Sequence, residues 1–319
     1  MVTLVTGGAG FIGSNLCSRL LDNGKTVYAF DNLCNSSLKN INGLLKHEKF
    51  KFIKCDVSCQ NSFLEEVKKI SKNCKIIDMW HLAANSDISA GIEDSEVDLK
   101  NTFLSTYSIL RAAKLFDIRN LYFSSSSAIY GDHGGLKVSE KTGPFLPISN
   151  YGAMKLASEA IISSATHSYL DKSILFRFPN VIGTPATHGV ILDFIKRLNK
   201  YPGTLQVLGD GRQRKPYLHV EDLLDAMLFL ASKPIAGCQV FNIGPDDDGI
   251  LVSKIAELVI ENMGCNAEII YQKSSKGWVG DVPKFSYSID KLKASGWYPP
   301  HSSIEAVNKA IVEILRSFS

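Results

Sequence analysis

"VTLVTGGAGFIGSNL", residues 2–16, carries the reading on which the fold depends. A short β-branched run ends in glycines, and a helix-period segment follows at once. The spacing Gly8-x-Gly10-x-x-Gly13 sits between the two. Glycines there permit a tight turn and let backbone N–H groups approach a pyrophosphate, which a helix N-terminus favours. The strand–turn–helix context is what makes the pattern informative.

Working outward, "FIGSNLCSRLLDNG" reads as a helix ending at Gly24, and "TVYAFD", "KFKFIKCD", "IIDMWHLAA" and "RNLYFSSS" read as further strands. Helices are expected near 61–72 and 95–116, and "SILFRFPN" is a sixth strand. This alternation implies parallel βαβ units, and strands without polar alternation suit a sheet covered on both faces. The expected class is α/β, a doubly wound parallel sheet. After about residue 180, prolines punctuate shorter elements, with helices expected near 221–232, 252–263 and 304–316. The reading is a domain over 1–180 and a smaller α/β substrate region over 181–319. The strand "CQVFNIG" (238–244) belongs to either one.

Asp31 closes the second strand. A carboxylate there accepts hydrogen bonds from adenosine ribose hydroxyls and repels a 2′-phosphate, so the expected cofactor is NAD. Asp56 and Val57 flank the adenine or serve as a helix cap. Further along, Ser126 lies at a predicted strand end in "FSSSSAIYG", and Tyr151 and Lys155 open the next helix in "SNYGAMKLASEA". Such a trio suits removal of a proton from an alcohol whose carbon loses hydride. A free tyrosine ionises near pH 10, about three units too high, or roughly 4 kcal/mol. A neighbouring ammonium and an oxidised nicotinamide both act to lower it.

Hydrophobic residues at 45% and charged residues at 21% describe an ordinary globular chain. A net charge of +3 over 319 residues argues against nucleic acid as a partner. No apolar run is long enough for a bilayer, and a strand starting at Val2 leaves no room for a signal peptide. Seven scattered cysteines without a CxxC pair read as reduced thiols in the cytoplasm. His81, His188 and His219 lack metal-ligand spacing, so no metal is expected; they are structural or, for His188, pocket-lining.

Together "GGAGFIG", "FSSSSAIYG" and "YGAMK" resemble the extended short-chain dehydrogenase/reductase family, nucleotide-sugar epimerases in particular. The resemblance covers nearly the whole chain and implies a Rossmann-type fold. It assigns the cofactor turn to Gly7, Gly10 and Gly13 with Phe11 and Ile12. It also assigns catalysis to Ser126, Tyr151 and Lys155, the last also holding the nicotinamide ribose. "DNLCNS" adds Asn32, Asn35 and Ser36 as cofactor contacts, "HLAA" adds Leu82, Ala83 and Ala84, and Asn101 matches an asparagine near the active site. For a nucleotide-diphosphate sugar the resemblance implies Asn180, Val190, Arg214, Lys215, Lys276, Trp278 and Asp281. Two departures stand out: Lys215-Pro216 replaces an Arg-Asp pair, and Trp278 replaces an arginine. Arg214 as a solvated charge and Trp278 as packing are the plain alternatives.

Dehydratases of this kind carry Asp-Glu after the catalytic residue, where this chain has Ser127-Ala128. The resemblance therefore implies a 4-epimerase, with a 4-dehydrogenase or an NAD-sensing regulator as alternatives. It also implies a homodimer through the helices near 95–116 and around Tyr151. Leu104, Tyr107, Leu110, Ile161 and Ile162 form either that contact or ordinary core.

Overall fold

The computed structural model describes residues 1–273, 282 and 284–318. Along the chain run β1 (Val2–Thr6), α1 (Phe11–Asp22), β2 (Val27–Asp31), β3 (Phe50–Lys54), α2 (Gln60–Ser71) and β4 (Ile76–His81). Next come α3 (Ile88–Glu93), α4 (Ser95–Asp98), α5 (Ser105–Leu115), β5 (Asn120–Ser124), β6 (Lys137–Val138), α6 (Asn150–Ser168) and β7 (Lys172–Arg177). Then follow β8 (Asn180–Ile182), α7 (Val190–Lys200), β9 (Thr204–Val207), β10 (Arg214–Lys215), β11 (Tyr217–His219), α8 (Val220–Ser232) and β12 (Gly237–Asn242). The last elements are β13 (Ile250–Leu251), α9 (Val252–Met263), β14 (Glu268–Tyr271), β15 (Ser286–Tyr287), α10 (Asp290–Ala294) and α11 (Ser303–Arg316).

Seven strands form one sheet in the order β12-β7-β5-β4-β1-β2-β3. The pairs from β7 through β3 are parallel, which gives the doubly wound Rossmann-type α/β fold expected of the alternating sequence. The order reverses between β1 and β4, and at such a point an open parallel sheet leaves a crevice outside its carboxyl edge. The core fits this layering: Leu4, Phe30, Met79, Leu121, Phe123 and Leu175 are buried together with Phe63 and Val67 of α2 and Ile109 and Ala113 of α5.

The chain divides into two compact units. The first comprises Met1–Ile129, Leu146–Arg177 and Met227–Phe241, and holds the large sheet. The second comprises Tyr130–Phe145, Phe178–Ala226 and Asn242–Ser319. The segment "CQVFNIG" thus sends β12 to the edge of the main sheet, beside β7. Among the described residues of the second unit the strands form two-stranded pairs: β8 with β11, β9 with β14, β6 with β15, and β10 with β13. Its core is helical, built by Ile191, Phe194, Ile195 and Leu198 of α7, Ile255 and Val259 of α9, and Val307, Ile311 and Ile314 of α11. Helix α11 starts at a capping box in which Ser302 and Glu305 satisfy each other's backbone N–H.

The expected helix over 95–116 is broken. Between α4 and α5 the backbone takes a π-helical path over Leu99–Leu104, which contains Asn101. Helix α7 was not expected at all, because Pro185 and Pro202 drew the reading towards irregular structure.

Candidate active site

The glycine turn follows β1 directly. Gly7 has φ +70°, a left-handed conformation that suits glycine. A Cβ on Gly7 would lie 2.8 Å from the Ala83 nitrogen, and one on Gly13 would lie 2.0 Å from the Gly7 carbonyl oxygen. Side chains at either point would therefore fill the cradle. Gly10 is the N-cap of α1 and offers no side-chain cap, so no protein group competes for the first turn of N–H groups, which begins at Phe11 and Ile12. The arrangement fits an anionic pyrophosphate.

Asp31, at the end of β2, is buried, and both its oxygens are engaged. Oδ2 accepts from the Ala9 N–H at 3.0 Å, while Oδ1 accepts from the Leu33 N–H at 2.9 Å and the Ser36 hydroxyl at 2.7 Å. These bonds join the glycine turn to the loop after β2 and aim the carboxylate. Asn32 turns that loop by accepting from the Cys34 N–H, and Asn35 is exposed. Asn40, missed by the sequence reading, donates to the Ala9 carbonyl at 2.8 Å. Asp56 accepts from the backbone and hydroxyl of Ser58 and lies 3.8 Å from Lys100, while Val57 is buried.

Leu82, Ala83 and Ala84 leave β4 beside the glycine turn: the Leu82 N–H donates to the Thr6 carbonyl and the Ala83 N–H to the Thr6 hydroxyl. Behind them lies a chain of bonds that only the fold reveals. Thr106 donates its hydroxyl proton to the Thr102 carbonyl at 2.8 Å, so it must accept from His81 Nε2–H at 3.0 Å. His81 Nδ1 then accepts from the Thr6 hydroxyl at 2.8 Å. Neutral imidazole satisfies every member, and burial together with the charge of Lys155 holds His81 down at about 3. The structural reading of His81 thus gains a specific content: it ties β1, β4 and α5 together.

The carboxyl end of β5 meets helix α6. Ser149 caps that helix, accepting from the Gly152 N–H at 3.1 Å. Gly152 then packs so closely that a Cβ would lie 2.6 Å from the Ala128 carbonyl oxygen. This approach sets the Tyr151 phenol near enough to Ser126 for that side chain to favour its ionised form, while Ser126 Oγ accepts from the Ala128 N–H at 3.1 Å. The Lys155 amine donates to the Ser124 carbonyl at 2.5 Å and sits 4.7 Å from the centre of the Phe123 ring and 5.7 Å from that of Tyr151.

The electrostatics differ from the expectation. Burial pushes Tyr151 up to about 12, assisted by the charge of Asp98 and opposed by the Ser126 side chain. Burial likewise brings Lys155 down to about 7, with Glu159 and Asp98 opposing. The protein's own groups therefore do not make the phenol acidic. The reason is that burial and the charge of Asp98 together outweigh the one favourable contact, from Ser126. Asp98, fully buried, is itself raised by burial; Asn85 donates to its Oδ1 at 2.9 Å, and Oδ2 has no partner among the described residues. Asn101, in the π segment, is half-buried, and its carbonyl accepts from the Ser105 hydroxyl.

The glycine turn, Asp31, "HLAA", Ser126, Tyr151 and Lys155 thus all belong to the first unit, and their strands end on one edge of the parallel sheet. The expected substrate residues that can be placed belong to the second. Asn180 is exposed at the start of β8, Val190 opens α7 half-buried, and Arg214 donates to the Gly249 carbonyl at 3.1 Å beside Lys215 in β10. Lys276, Trp278 and Asp281 lie outside the described residues. Among the described residues no group of three or more His, Cys, Asp or Glu could hold a metal ion, and no helix is long and apolar enough to cross a membrane.

Comparison with known proteins agrees in fold and chemistry. The profile of the NAD dependent epimerase/dehydratase family matches residues 3–244. A putative UDP-glucose 4-epimerase of Methanocaldococcus jannaschii is 29% identical over 314 residues, covering 97% of this chain and 96% of its own. The UDP-glucose 4-epimerase of Mycolicibacterium smegmatis is 32% identical over 252 residues, covering 76% of this chain and 77% of its own. The structure of Thermus thermophilus UDP-glucose 4-epimerase in complex with NAD superposes with a TM-score of 0.85 at 27% identity, over 99% of each chain.

Proposed function

The chain belongs to the NAD-dependent epimerase/dehydratase family, and from that premise we propose that it is a nucleotide-sugar 4-epimerase. The observation that carries this reading is the Lys155 amine 5.7 Å from the centre of the Tyr151 ring, on a helix face packed against the Ser126 end of β5. Tyr151 takes the proton of the 4-hydroxyl, and Ser126 holds the reacting oxygen. When bound, NAD accepts the hydride from C4 and returns it, and its oxidised ring supplies the positive charge that the protein does not. Lys155 would hold the nicotinamide ribose. Gly7, Gly10 and Gly13 cradle the pyrophosphate, and Asp31 takes the adenosine ribose.

The turn Ser127–Ile129 next to Ser126 carries no carboxylate, so an acid/base pair for eliminating water is missing where dehydratases keep one. That supports reversible oxidation at a single carbon. Asn180, Val190, Arg214, Lys215, Lys276, Trp278 and Asp281 are the proposed nucleotide-sugar contacts, on the second unit. By analogy with the named relatives, UDP-hexoses are the first substrates to offer. Seven unpaired cysteines suit a reducing compartment, the cytoplasm.

A homodimer through α5 and α6 completes the proposal. Leu110 and Ile162 are buried and Ile161 packs against the same core, so they belong to the first unit's interior. Leu104 and Tyr107 are exposed, and they are the residues left for a partner.

The test is incubation with a panel of nucleotide sugars, read by sugar NMR and by the absorbance of reduced nicotinamide. A 4-epimer without accumulating NADH is the expected result. NADH accumulating with a ketosugar would make the protein a dehydrogenase, and inertness across the panel would remove the enzymatic reading.

A further inference from the structure

Three successive serines close β5, and each meets a different residue of α6. Ser126 favours the ionised form of Tyr151, the Ser124 carbonyl receives the Lys155 amine, and Ser125 donates to Glu159 Oε1 at 2.5 Å. Tyr151, Lys155 and Glu159 are spaced four apart, so they form one stripe of the helix. Glu159 is also gripped from β7: Arg177 Nε donates to Oε1 at 2.9 Å and Nη2 to Oε2 at 2.6 Å. Both side chains are buried, at 5% and 4% exposure. β5 and β7 are neighbours in the sheet, so the carboxylate staples two adjacent strand ends to the helix that carries Tyr151.

A buried ion pair is poor value as a stabiliser, because desolvating two charges offsets their attraction and apolar residues would serve as well. Its position one turn beyond Lys155 offers a better account. We propose that Glu159 is a positioning residue: held by Arg177 and Ser125, it seats the Tyr151–Lys155 stripe on the serine end of β5 and supplies a counter-charge to the Lys155 ammonium. The inference rests on the roles given above to Tyr151 and Lys155.

The groups facing that ammonium are few. Asp98 acts on it from α4, and Glu159 and Tyr151 from its own helix. Neutral His81 faces it from β4, and Phe123 and the Ser124 carbonyl from β5. Arg177 of β7 acts through Glu159. Burial alone disfavours the charged amine, and the two carboxylates oppose it. Removing only the Glu159 charge strips one of the two carboxylates that favour the ammonium and leaves the Arg177 guanidinium without the carboxylate it now grips at two points. Removing both charges strips the carboxylate without leaving that guanidinium charge behind.

The experiment tracks the Lys155 side chain directly, by NMR of lysine-labelled, NAD-loaded protein across pH, with the signal assigned by its loss in Lys155→Met. Midpoints should fall in the order wild type, Glu159→Gln/Arg177→Gln, Glu159→Gln, the last lower than wild type by about one pH unit or more. If Glu159→Gln does not fold, the double variant still has to titrate below the wild type. Equal midpoints, or a double variant no higher than Glu159→Gln, overturn the proposal. Turnover reads the parent assignment separately. Epimerisation that stops in Tyr151→Phe beside an unmoved Lys155 midpoint sinks the counter-charge alone. Epimerisation that survives Tyr151→Phe sinks the base assignment and the purpose of the staple with it.

Discussion

The two units of this chain bury polar groups in different ways. In the first, titratable side chains lie at the edge of a seven-stranded sheet, and each is fixed by two or three groups from strands, turns or helices: His81 by Thr6 and Thr106, Asp31 by Ala9, Leu33 and Ser36, Glu159 by Ser125 and Arg177. In the second, the strands pair in twos and the core is the apolar meeting of three helices. Its buried polar groups sit around that core, such as Asn242 with Tyr130 and His219 with Glu313, while pairs such as Lys293 with Asp246 lie at the surface. A site built on the first pattern is pre-organised, with side chains held by the sheet itself. A site built on the second sits on short strands and loops, where residues change at small cost to the fold. On the proposed assignment, the first pattern carries the chemistry and the second tunes the specificity.

The largest expected effect belongs to the first unit. Tyr151→Phe should lower kcat about 10²–10⁴-fold, the usual worth of a positioned proton-transfer group, while NAD affinity stays within a few-fold. Stopped turnover with unchanged cofactor titration supports the division; a fully active variant breaks it. Next, Gly13→Ala would press a methyl group against the Gly7 carbonyl, which lies 2.0 Å from where the Cβ would sit. Overpacking against backbone costs about 1–3 kcal/mol, so urea unfolding should shift to lower concentration and NAD binding should weaken together.

A pH effect sharpens the comparison. His81 takes its proton at about 3 in the folded chain against an ordinary 6.5, so between those values the unfolded chain binds more protons. Stability therefore falls as pH drops from 6.5 towards 3, by about 1.4 kcal/mol per unit for one full proton. Lys155, held at about 7 against 10.5, acts the same way in the alkaline window: stability is lost as pH falls from 10.5 towards 7. Urea melts across pH should show the acid slope flatten in His81→Gln. The smallest effect is reserved for the second unit. Lys215→Ala should raise KM about tenfold with kcat and NAD affinity kept, the mark of lost uniform binding. A collapse of kcat instead would mean that the second unit shares in the chemistry.

The residues of the cofactor turn were legible because their spacing is local: strand, glycines and helix fall within fifteen positions. The same holds for Tyr151 and Lys155, one turn apart. The features that escaped the reading are non-local. Thr6, His81 and Thr106 are separated by 75 and 25 positions, and nothing in a single chain announces that they touch. The close approach of Gly152 to Ala128 joins positions 24 residues apart, which no local spacing announces. Helix α7 was missed for another reason. Its buried Ile191, Leu192, Phe194, Ile195 and Leu198 have the right period, but the nearby prolines outweighed it in the reading. The acidity of Tyr151 was misjudged because sequence shows which charges are near and says nothing of how much water is lost.

The π segment Leu99–Leu104 gives the chain one residue more than a regular helix would need there. Excising Leu99 would let α4 and α5 merge into an unbroken rod and would turn α4 by about 100° relative to α5. The Asn85 N–H would then lose the Thr102 hydroxyl that it now reaches at 3.2 Å. The shortened protein is expected to gain helical regularity and to loosen the segment after β4 that Asn85 anchors.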